Sequence, residues 1–339
     1  MSPFFHRPAR FPALTMRPRW RKALIAFGLL LALAVGLKIA GAVYRQRDYL
    51  PYFQARKGTL VSVLETPLEE TAEATTHYVE LRDDRGLRVE AHVRAPRSDP
   101  GRHPAVVILG GVATGRRTLD FLGSSSAMLV AIDYPYHGPR DDLSAREFAR
   151  RLPEMRQAML DTVPATMLVL DYLSGRGDVD PDRILLAGGS FGALFAPAVA
   201  AAEPRITAVA ILFGAADLPE VIRATVDYPA PRRHLVAWLG SYIVAPMEPL
   251  KYVDRISPRP LFMLNGTDDP VMPERCVRRL HGAASEPKKI CWVPVGHVNV
   301  RDRQFHDQIL GELTAWLVEI GFVAPEEGGS FLRIKEDGP

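Results

Sequence analysis

Short runs of apolar residues recur along the chain, and most of them end at glycine or polar residues. The runs cover residues 105–109, 128–132, 183–187, 208–213, 261–264 and 289–293. Short apolar runs of this kind are typical of strands buried on both faces, which requires a parallel sheet with helices on both sides. Ahead of them, residues 77–81 and 87–93 alternate apolar and polar positions around a turn. This alternation predicts a hairpin with one buried face.

Segments with apolar residues at helical spacing lie between the later runs and predict helices. They cover residues 155–173, 191–202, 273–280 and 302–320. Strands that alternate with helices in this way predict a mostly parallel, doubly wound α/β sheet over residues 76–320. We interpret residues 44–75, which are mixed and polar, as a linker. The residues after Gly321, 321–339, are expected to form an irregular tail.

Residues 217–257 interrupt the alternation between two predicted strands. The segment contains Pro, Tyr, Trp and Arg between the two strands. We interpret it as a lid or cap inserted into the sheet domain. Two roles are equally compatible with its larger side chains: they line an acyl or aromatic pocket, or they pack the lid onto the body. These side chains are Trp238, Tyr242 and Met247.

One longer apolar segment lies near the N-terminus, over residues 23–43. As a helix it would span about 31 Å, enough to cross a bilayer if Lys38 reaches the far interface. The basic residues of segment 1–22 predict a cytoplasmic leader, a membrane anchor and a body on the extracytoplasmic side. The alternative is a signal peptide cleaved near Ala40-Gly41-Ala42, which would give a secreted protein. A buried core helix is disfavoured because residues 23–37 show no polar positions at helical spacing.

The charge of the chain divides between this segment and the rest. The 339 residues carry a net charge of +3, but nine of the 42 Lys and Arg precede Asp48 and all 39 acidic residues follow Arg47. The remainder therefore carries 33 basic against 39 acidic residues, which argues against a nucleic-acid partner. A hydrophobic fraction of 47% excludes general disorder.

The two cysteines exclude a small disulfide scaffold. We expect Cys276 and Cys291 to be free buried thiols, with a disulfide as the alternative. No group of His, Cys and Asp has the spacing of metal ligands, so neither a metal nor another cofactor is expected.

The sequence Gly188-Gly189-Ser190-Phe191-Gly192 fits the pattern Gly-x-Ser-x-Gly between a predicted strand and a predicted helix. In that context a serine sits on a sharp turn, and small neighbours let the strand and the helix pack closely. A glycine-rich phosphate loop is the alternative, but the Gly-Lys-Ser/Thr ending is missing. Ser190 is therefore the candidate nucleophile.

A serine nucleophile needs a base and an orienting acid. His297 follows the last predicted strand, and strand ends on one edge of a parallel sheet converge on one crevice. His306 is instead expected on the surface of the closing helix. Asp268 and Asp269 follow an earlier strand, and we favour Asp269 because Pro270 fixes the turn after it, while Asp217 is a more distant alternative.

Acyl transfer also needs donors for the oxyanion. The backbone N–H of Phe191, next to the serine, is the first candidate. The second is expected from the loop after the first core strand, where we prefer Val112 over Gly111.

With these motifs in the order Ser, Asp, His, the chain resembles the α/β-hydrolase superfamily over about residues 76–320, and most of all its esterase and dienelactone-hydrolase-like branch. The resemblance implies Ser190 as nucleophile, Asp269 as acid and His297 as base. Residues 133–138 resemble the loop that the superfamily carries after the second core strand. The chain departs from many members at Gly110, where they carry His, and from dienelactone hydrolases in having serine as nucleophile.

We therefore predict a serine hydrolase that cleaves a small or lipid-like carboxylic ester and touches a membrane through its N-terminal segment. The alternatives on the same fold are a peptidase, a thioesterase or an acyltransferase. A binding scaffold without catalysis is disfavoured because all three members of the triad are present. The oligomeric state is not predicted.

Overall fold

The computed structural model describes residues 18–97, 101–139, 144–297 and 303–335. The chain divides into two compact units, Met1–Gln46 and Arg47–Pro339. In the first unit, helix α1 spans Pro18–Gln46. Its segment Ile25–Gln46 is long and apolar enough to cross a membrane, a test that a signal sequence also passes. The apolar side chains of residues 25–33 are exposed, Leu29 by 67%, so this part of α1 is not a core helix. Residues 1–17 of the predicted leader lie outside the described residues.

The second unit is built on one sheet. Its strands are β1 (Leu60–Glu70), β2 (Ala74–Asp83), β3 (Arg88–Pro96), β4 (His103–Leu109), β5 (Met128–Ile132), β6 (Val179–Gly189), β7 (Ala208–Leu212), β8 (Leu261–Gly266) and β9 (Lys288–Val293). Its helices are α2 (Leu50–Arg56), α3 (Ala145–Ser174), α4 (Ala196–Ala202), α5 (Leu218–Thr225), α6 (Ala230–Val244), α7 (Glu274–Ala283), α8 (Arg303–Glu319) and α9 (Gly328–Phe331).

The strand order is β1-β2-β3-β5-β4-β6-β7-β8-β9. The pairs from β5 through β4 to β9 are parallel, while β1, β2 and β3 pair antiparallel and join the sheet at β5. All residues of β4 and β5 are buried, as the continuous apolar runs predicted. The mostly parallel α/β sheet with an N-terminal hairpin is thus confirmed, and the carboxyl ends of β6, β8 and β9 lie on one edge.

The expected linker over residues 44–75 contains regular structure instead. Helix α2 packs on α3, and β1 extends the sheet by pairing with β2. Nearly every residue of β1 is exposed, so the strand is held by backbone hydrogen bonds and leaves no buried stripe in the sequence. The linker interpretation is therefore wrong for the part of the segment that forms α2 and β1.

Helix α3 begins ten residues before the predicted start at Met155. Ser144 accepts a hydrogen bond from the backbone N–H of Glu147, whose side chain in turn accepts from the Ser144 N–H. This reciprocal capping satisfies two backbone donors at the start of the helix.

The segment after Gly321 is also more ordered than predicted. It contains α9, and Phe331 and Leu332 are buried in the core. Ile334 forms an antiparallel bridge with Leu122. The expectation of an irregular tail is thus wrong up to Lys335, and residues 336–339 lie outside the described residues.

The insert 217–257 lies between β7 and β8, where it was predicted. It forms α5, α6 and three short 3-10 turns, and it contacts α3, α4 and α7. Met247 is fully buried, whereas Trp238 is 51% exposed and its ring meets Tyr242 edge-on. The packing role therefore applies to Met247, and no residue of the insert lines the cavity beside Ser190 described below.

Candidate active site

Ser190 stands at the sharp turn that follows β6. Its backbone has φ +52°, a left-handed conformation that residues other than glycine rarely adopt. A Cβ on Gly188 would lie 2.7 Å from the carbonyl oxygen of Gly192, and a Cβ on Gly192 would collide with the carbonyl of Leu109. The two glycines of the motif are thus required by backbone packing. The chain continues through a 3-10 turn, Ser190–Leu194, before α4 begins.

The structure brings Ser190, His297 and Asp269 into one hydrogen-bonded chain. Ser190 Oγ lies 2.7 Å from His297 Nε2, and His297 Nδ1 lies 2.7 Å from Asp269 Oδ2. Because a carboxylate only accepts, Nδ1 carries the proton and Nε2 is left to accept from the serine hydroxyl. The side chain of Asp269 is 1% exposed, and its Oδ1 accepts from the backbone N–H groups of Val271 and Met272 at 2.8 and 3.0 Å.

The neighbouring acids have other partners. The carboxylate of Asp268 is exposed and accepts from the hydroxyl of Thr267, while its backbone N–H donates to the carbonyl of Val295 at 3.1 Å. Asp217 forms an ion pair with Arg279. Of the three acids considered, Asp269 is therefore the one hydrogen-bonded to His297.

The loops that carry the acid and the histidine are packed tightly together. A Cβ on Gly266 would collide with the carbonyl of Val295 and lie 2.6 Å from that of Gly296. The Phe213 ring meets the imidazole of His297 edge-on at 5.8 Å between centroids. The imidazole thus contacts the Phe213 ring and is hydrogen-bonded at both nitrogens.

A buried polar chain supports the ends of β7 and β8. His281 donates from Nε2 to Asn265 Oδ1 at 3.2 Å, and Asn265 Nδ2 donates to the Gly214 carbonyl at 3.0 Å. Burial lowers the pKa of His281 to about 4, which keeps this ring neutral near neutral pH. Asn265 was missed from the sequence, although a polar residue at the end of a buried apolar run is a signal of such a role.

The loop after β4 contains Gly111 and Val112, the two residues considered for the second oxyanion donor. Hydrogen bonds to its carbonyl groups fix the orientation of its peptide planes. The Gly111 carbonyl accepts from the backbone N–H groups of Thr114 and Gly115, both at 3.1 Å. In a trans peptide the following N–H, that of Val112, points the opposite way. Tyr134, another residue missed from the sequence, donates its hydroxyl to the Gly110 carbonyl and packs edge-on against Phe191.

A cavity of about 450 Å³ opens beside Ser190 and His297. Gly111 and Val112 line it, and so does His306, which is half-buried there instead of lying on the surface as expected. Most of the remaining lining is apolar, and it includes residues of β4, of α8 and of the C-terminal segment 332–334.

Within residues 18–97, 101–139, 144–297 and 303–335, no three His, Cys, Asp or Glu side chains are placed to hold a metal ion. Cys276 and Cys291 are free thiols.

Comparison with known proteins identifies similar chains, although no family model matches. The chain is 25% identical over 190 residues to Esterase YjfP of Escherichia coli, covering 54% of this chain and 75% of that protein. A stretch of 131 residues is 34% identical to an uncharacterized protein of Mycobacterium tuberculosis, over 38% of this chain and 42% of that protein.

Two solved structures of acetyl xylan esterases share the fold. The enzyme from Thermoanaerobacterium sp. has a TM-score of 0.58 and 19% identity, over 80% of this chain and 91% of that chain. The enzyme from Paenibacillus sp. R4 has a TM-score of 0.61 and 14% identity, over 80% and 98%. These matches confirm the α/β-hydrolase fold and, with the esterase relative, support a hydrolase.

Proposed function

We propose that this chain, which has the α/β-hydrolase fold, is a serine hydrolase that cleaves carboxylic esters through an acyl-enzyme on Ser190. The observation that carries the proposal is the pair of 2.7 Å contacts that joins Ser190 Oγ to His297 and His297 to Asp269. A buried carboxylate, a neutral imidazole and a hydroxyl in this order are the arrangement that activates a serine.

In the proposed reaction Ser190 Oγ attacks the ester carbonyl as its proton passes to His297 Nε2. The imidazolium that forms is stabilised by Asp269, whose second oxygen is held by the backbone of Val271 and Met272. His297 then returns the proton to the leaving alcohol. Water, activated by the same imidazole, hydrolyses the acyl-enzyme and restores the serine.

The negative oxygen of the tetrahedral intermediate needs two donors. We assign them to the backbone N–H groups of Phe191 and Val112, with Gly111 as the alternative to Val112. The turn hydrogen bonds on the Gly111 carbonyl support Val112, because they fix the peptide plane that carries its N–H. Removing one oxyanion donor lowers turnover by roughly 10²- to 10³-fold in serine hydrolases.

The experiment is an ester panel assayed with the full chain and its His297→Ala variant. We expect p-nitrophenyl ester hydrolysis in the wild type and a loss of at least about 10³-fold in the variant. Hydrolysis of amides without esters would instead favour a peptidase. No turnover of any acyl substrate would contradict a hydrolase.

For the N-terminal unit we propose an uncleaved membrane anchor with the body on the extracytoplasmic side. The apolar segment Ile25–Gln46 and the basic residues ahead of it support this. Alkaline carbonate extraction should leave the chain in the membrane pellet. Release of a shortened chain that begins near Val43 would mean a cleaved signal peptide.

A further inference from the structure

The cavity beside Ser190 extends along the sheet, away from Ser190 Oγ and His297 Nε2. Val106 and Ile108 of β4 both line it, and residues two apart on a strand face the same side of the sheet. Val106 lies three residues before Leu109, where β4 ends, which corresponds to about 10 Å at ~3.3 Å per residue. The cavity thus runs along one face of the sheet, away from the edge where Ser190 and His297 stand.

Helix α8 and the C-terminal segment form the opposite wall. Leu310 and Leu313 line the cavity from α8, and Leu332 and Ile334 line it from the segment after α9. That segment is fixed to residues 121–126 by backbone hydrogen bonds. The Gly123 N–H donates to the Arg333 carbonyl at 2.8 Å, and the Lys335 N–H donates to the Phe121 carbonyl at 3.1 Å.

Beside Ser190 and His297, the polar side chains of the lining are those of Thr114, Thr118 and His306. Over the described ranges, no Asp, Glu, Lys or Arg lines the cavity. The threonine hydroxyls near its mouth already donate within their own loop, Thr114 to the Gly111 carbonyl at 3.1 Å and Thr118 to the Gly115 carbonyl at 2.8 Å. An apolar cavity of this kind favours a hydrocarbon guest over a sugar or a charged group.

We propose that this cavity binds a hydrocarbon chain of about eight carbons, carried by the ester on its acyl or its alcohol side. The proposal rests on the proposed ester hydrolysis at Ser190. An extended chain advances about 1.2 Å per bond, so a depth of ~10 Å accommodates about eight bonds. At ~30 Å³ for each water-sized group, the 450 Å³ cavity holds at most about 15 such groups. An acetyl group alone would leave most of this space unfilled.

Transfer of each methylene into the cavity should raise kcat/KM by about fourfold. Four methylenes separate butanoate from octanoate, so we expect a rise in kcat/KM of roughly 250-fold between these esters. Beyond about eight carbons the rise should stop, because further carbons would extend past the ~10 Å depth.

The test uses the full chain in lipid nanodiscs with two ester series. One series varies the acyl chain of p-nitrophenyl esters from acetate to dodecanoate, and the other varies the alcohol of alkyl acetates from ethyl to dodecyl. The pocket variant is Leu310→Trp, since Leu310 is only partly buried and a larger ring should enter the cavity. The matched control is Leu235→Trp, on the exposed face of α6 and outside the lining.

A rise of kcat/KM with chain length in one series supports the proposal. The series that shows it identifies whether the acyl or the alcohol side of the ester enters the cavity. Leu310→Trp should then lower the octanoate-to-acetate ratio, or the corresponding alkyl ratio, by at least tenfold, while Leu235→Trp leaves it unchanged. Lipid partitioning is the same for both variants, so their difference reports on the cavity. If Leu310→Trp does not fold, Ile334→Trp in the C-terminal segment is the second variant.

If kcat/KM stays constant or falls with chain length in both series, the hydrocarbon site is wrong, while the proposed ester hydrolysis is unaffected. The absence of any hydrolysis, together with no labelling of Ser190 by a fluorophosphonate, would overturn both proposals.

Discussion

The choice of Asp269 over its neighbour can be tested with a matched pair of variants, Asp269→Asn and Asp268→Asn. In the first, the amide oxygen should keep the Oδ1 position, because it accepts there from the N–H groups of Val271 and Met272. The amide nitrogen must then face His297 Nδ1, which lies 2.7 Å from Oδ2 in the native protein. Two donors cannot share that contact, so the imidazole shifts its proton to Nε2.

A proton on Nε2 removes the acceptor for the Ser190 hydroxyl, and the imidazole can no longer act as the base. We therefore expect Asp269→Asn to lower kcat by about 10³- to 10⁴-fold, equivalent to roughly 4 to 5.5 kcal/mol of transition-state stabilisation. Asp268→Asn changes an exposed carboxylate whose side-chain partner is Thr267, so its kcat should stay within about threefold of the wild type.

The assay is steady-state hydrolysis of p-nitrophenyl butanoate, with thermal unfolding as a check that both variants fold. Because the asparagine retains the Oδ1 hydrogen bonds, the melting temperature of Asp269→Asn should fall by only a few degrees. The reasoning would be refuted if Asp269→Asn kept more than about a tenth of the wild-type kcat, or if Asp268→Asn were the more impaired variant.

Three further predictions concern the residues that hold the site. Gly192→Ala should lower the free energy of unfolding by more than about 3 kcal/mol, because its Cβ would collide with the Leu109 carbonyl. Gly189→Ala is the control, since the space around its Cβ is open, and chemical unfolding should show a change of less than about 1 kcal/mol. Tyr134→Phe should lower kcat by about 3- to 10-fold with little change in KM, through loss of the hydrogen bond to the Gly110 carbonyl, while Tyr136→Phe should leave both unchanged. The pKa of His281 is about 4 in the folded protein and near its usual 6.5 in the unfolded chain, so the unfolded state binds the proton first as the pH falls. The free energy of unfolding should therefore fall between pH 7.5 and 4.5 by roughly 2 kcal/mol more in the wild type than in His281→Gln. Equal falls in the two proteins would contradict this.

The buried strands and the strand-end residues could be predicted because one physical constraint governs each. A strand covered on both faces carries mostly apolar side chains, so β4, β5, β7 and β8 were visible as apolar runs. Parallel strands also share one carboxyl edge, which brings loops distant in sequence to one place. That argument selected Ser190, Asp269 and His297, and their side chains lie within hydrogen-bonding distance of one another.

Other parts depend on contacts that no local pattern encodes. Strand β1 is exposed along its length and is held through its backbone, so its side chains carry no period. The C-terminal segment becomes a wall of the cavity only because Ile334 pairs with Leu122, more than 200 residues away. Two signals were present and missed. One is the Ser144–Glu147 capping box, and the other is that His306 lies at helical spacing from Leu310 and Leu313, on the face of α8 that lines the cavity.

Intact mass spectrometry after reaction with a fluorophosphonate shows whether Ser190 is the nucleophile. We expect a single stoichiometric adduct on the wild type, mapped to Ser190 by peptide sequencing, and no adduct on Ser190→Ala. An adduct that persists on Ser190→Ala, or a folded wild type that turns over esters without ever being labelled, would contradict it.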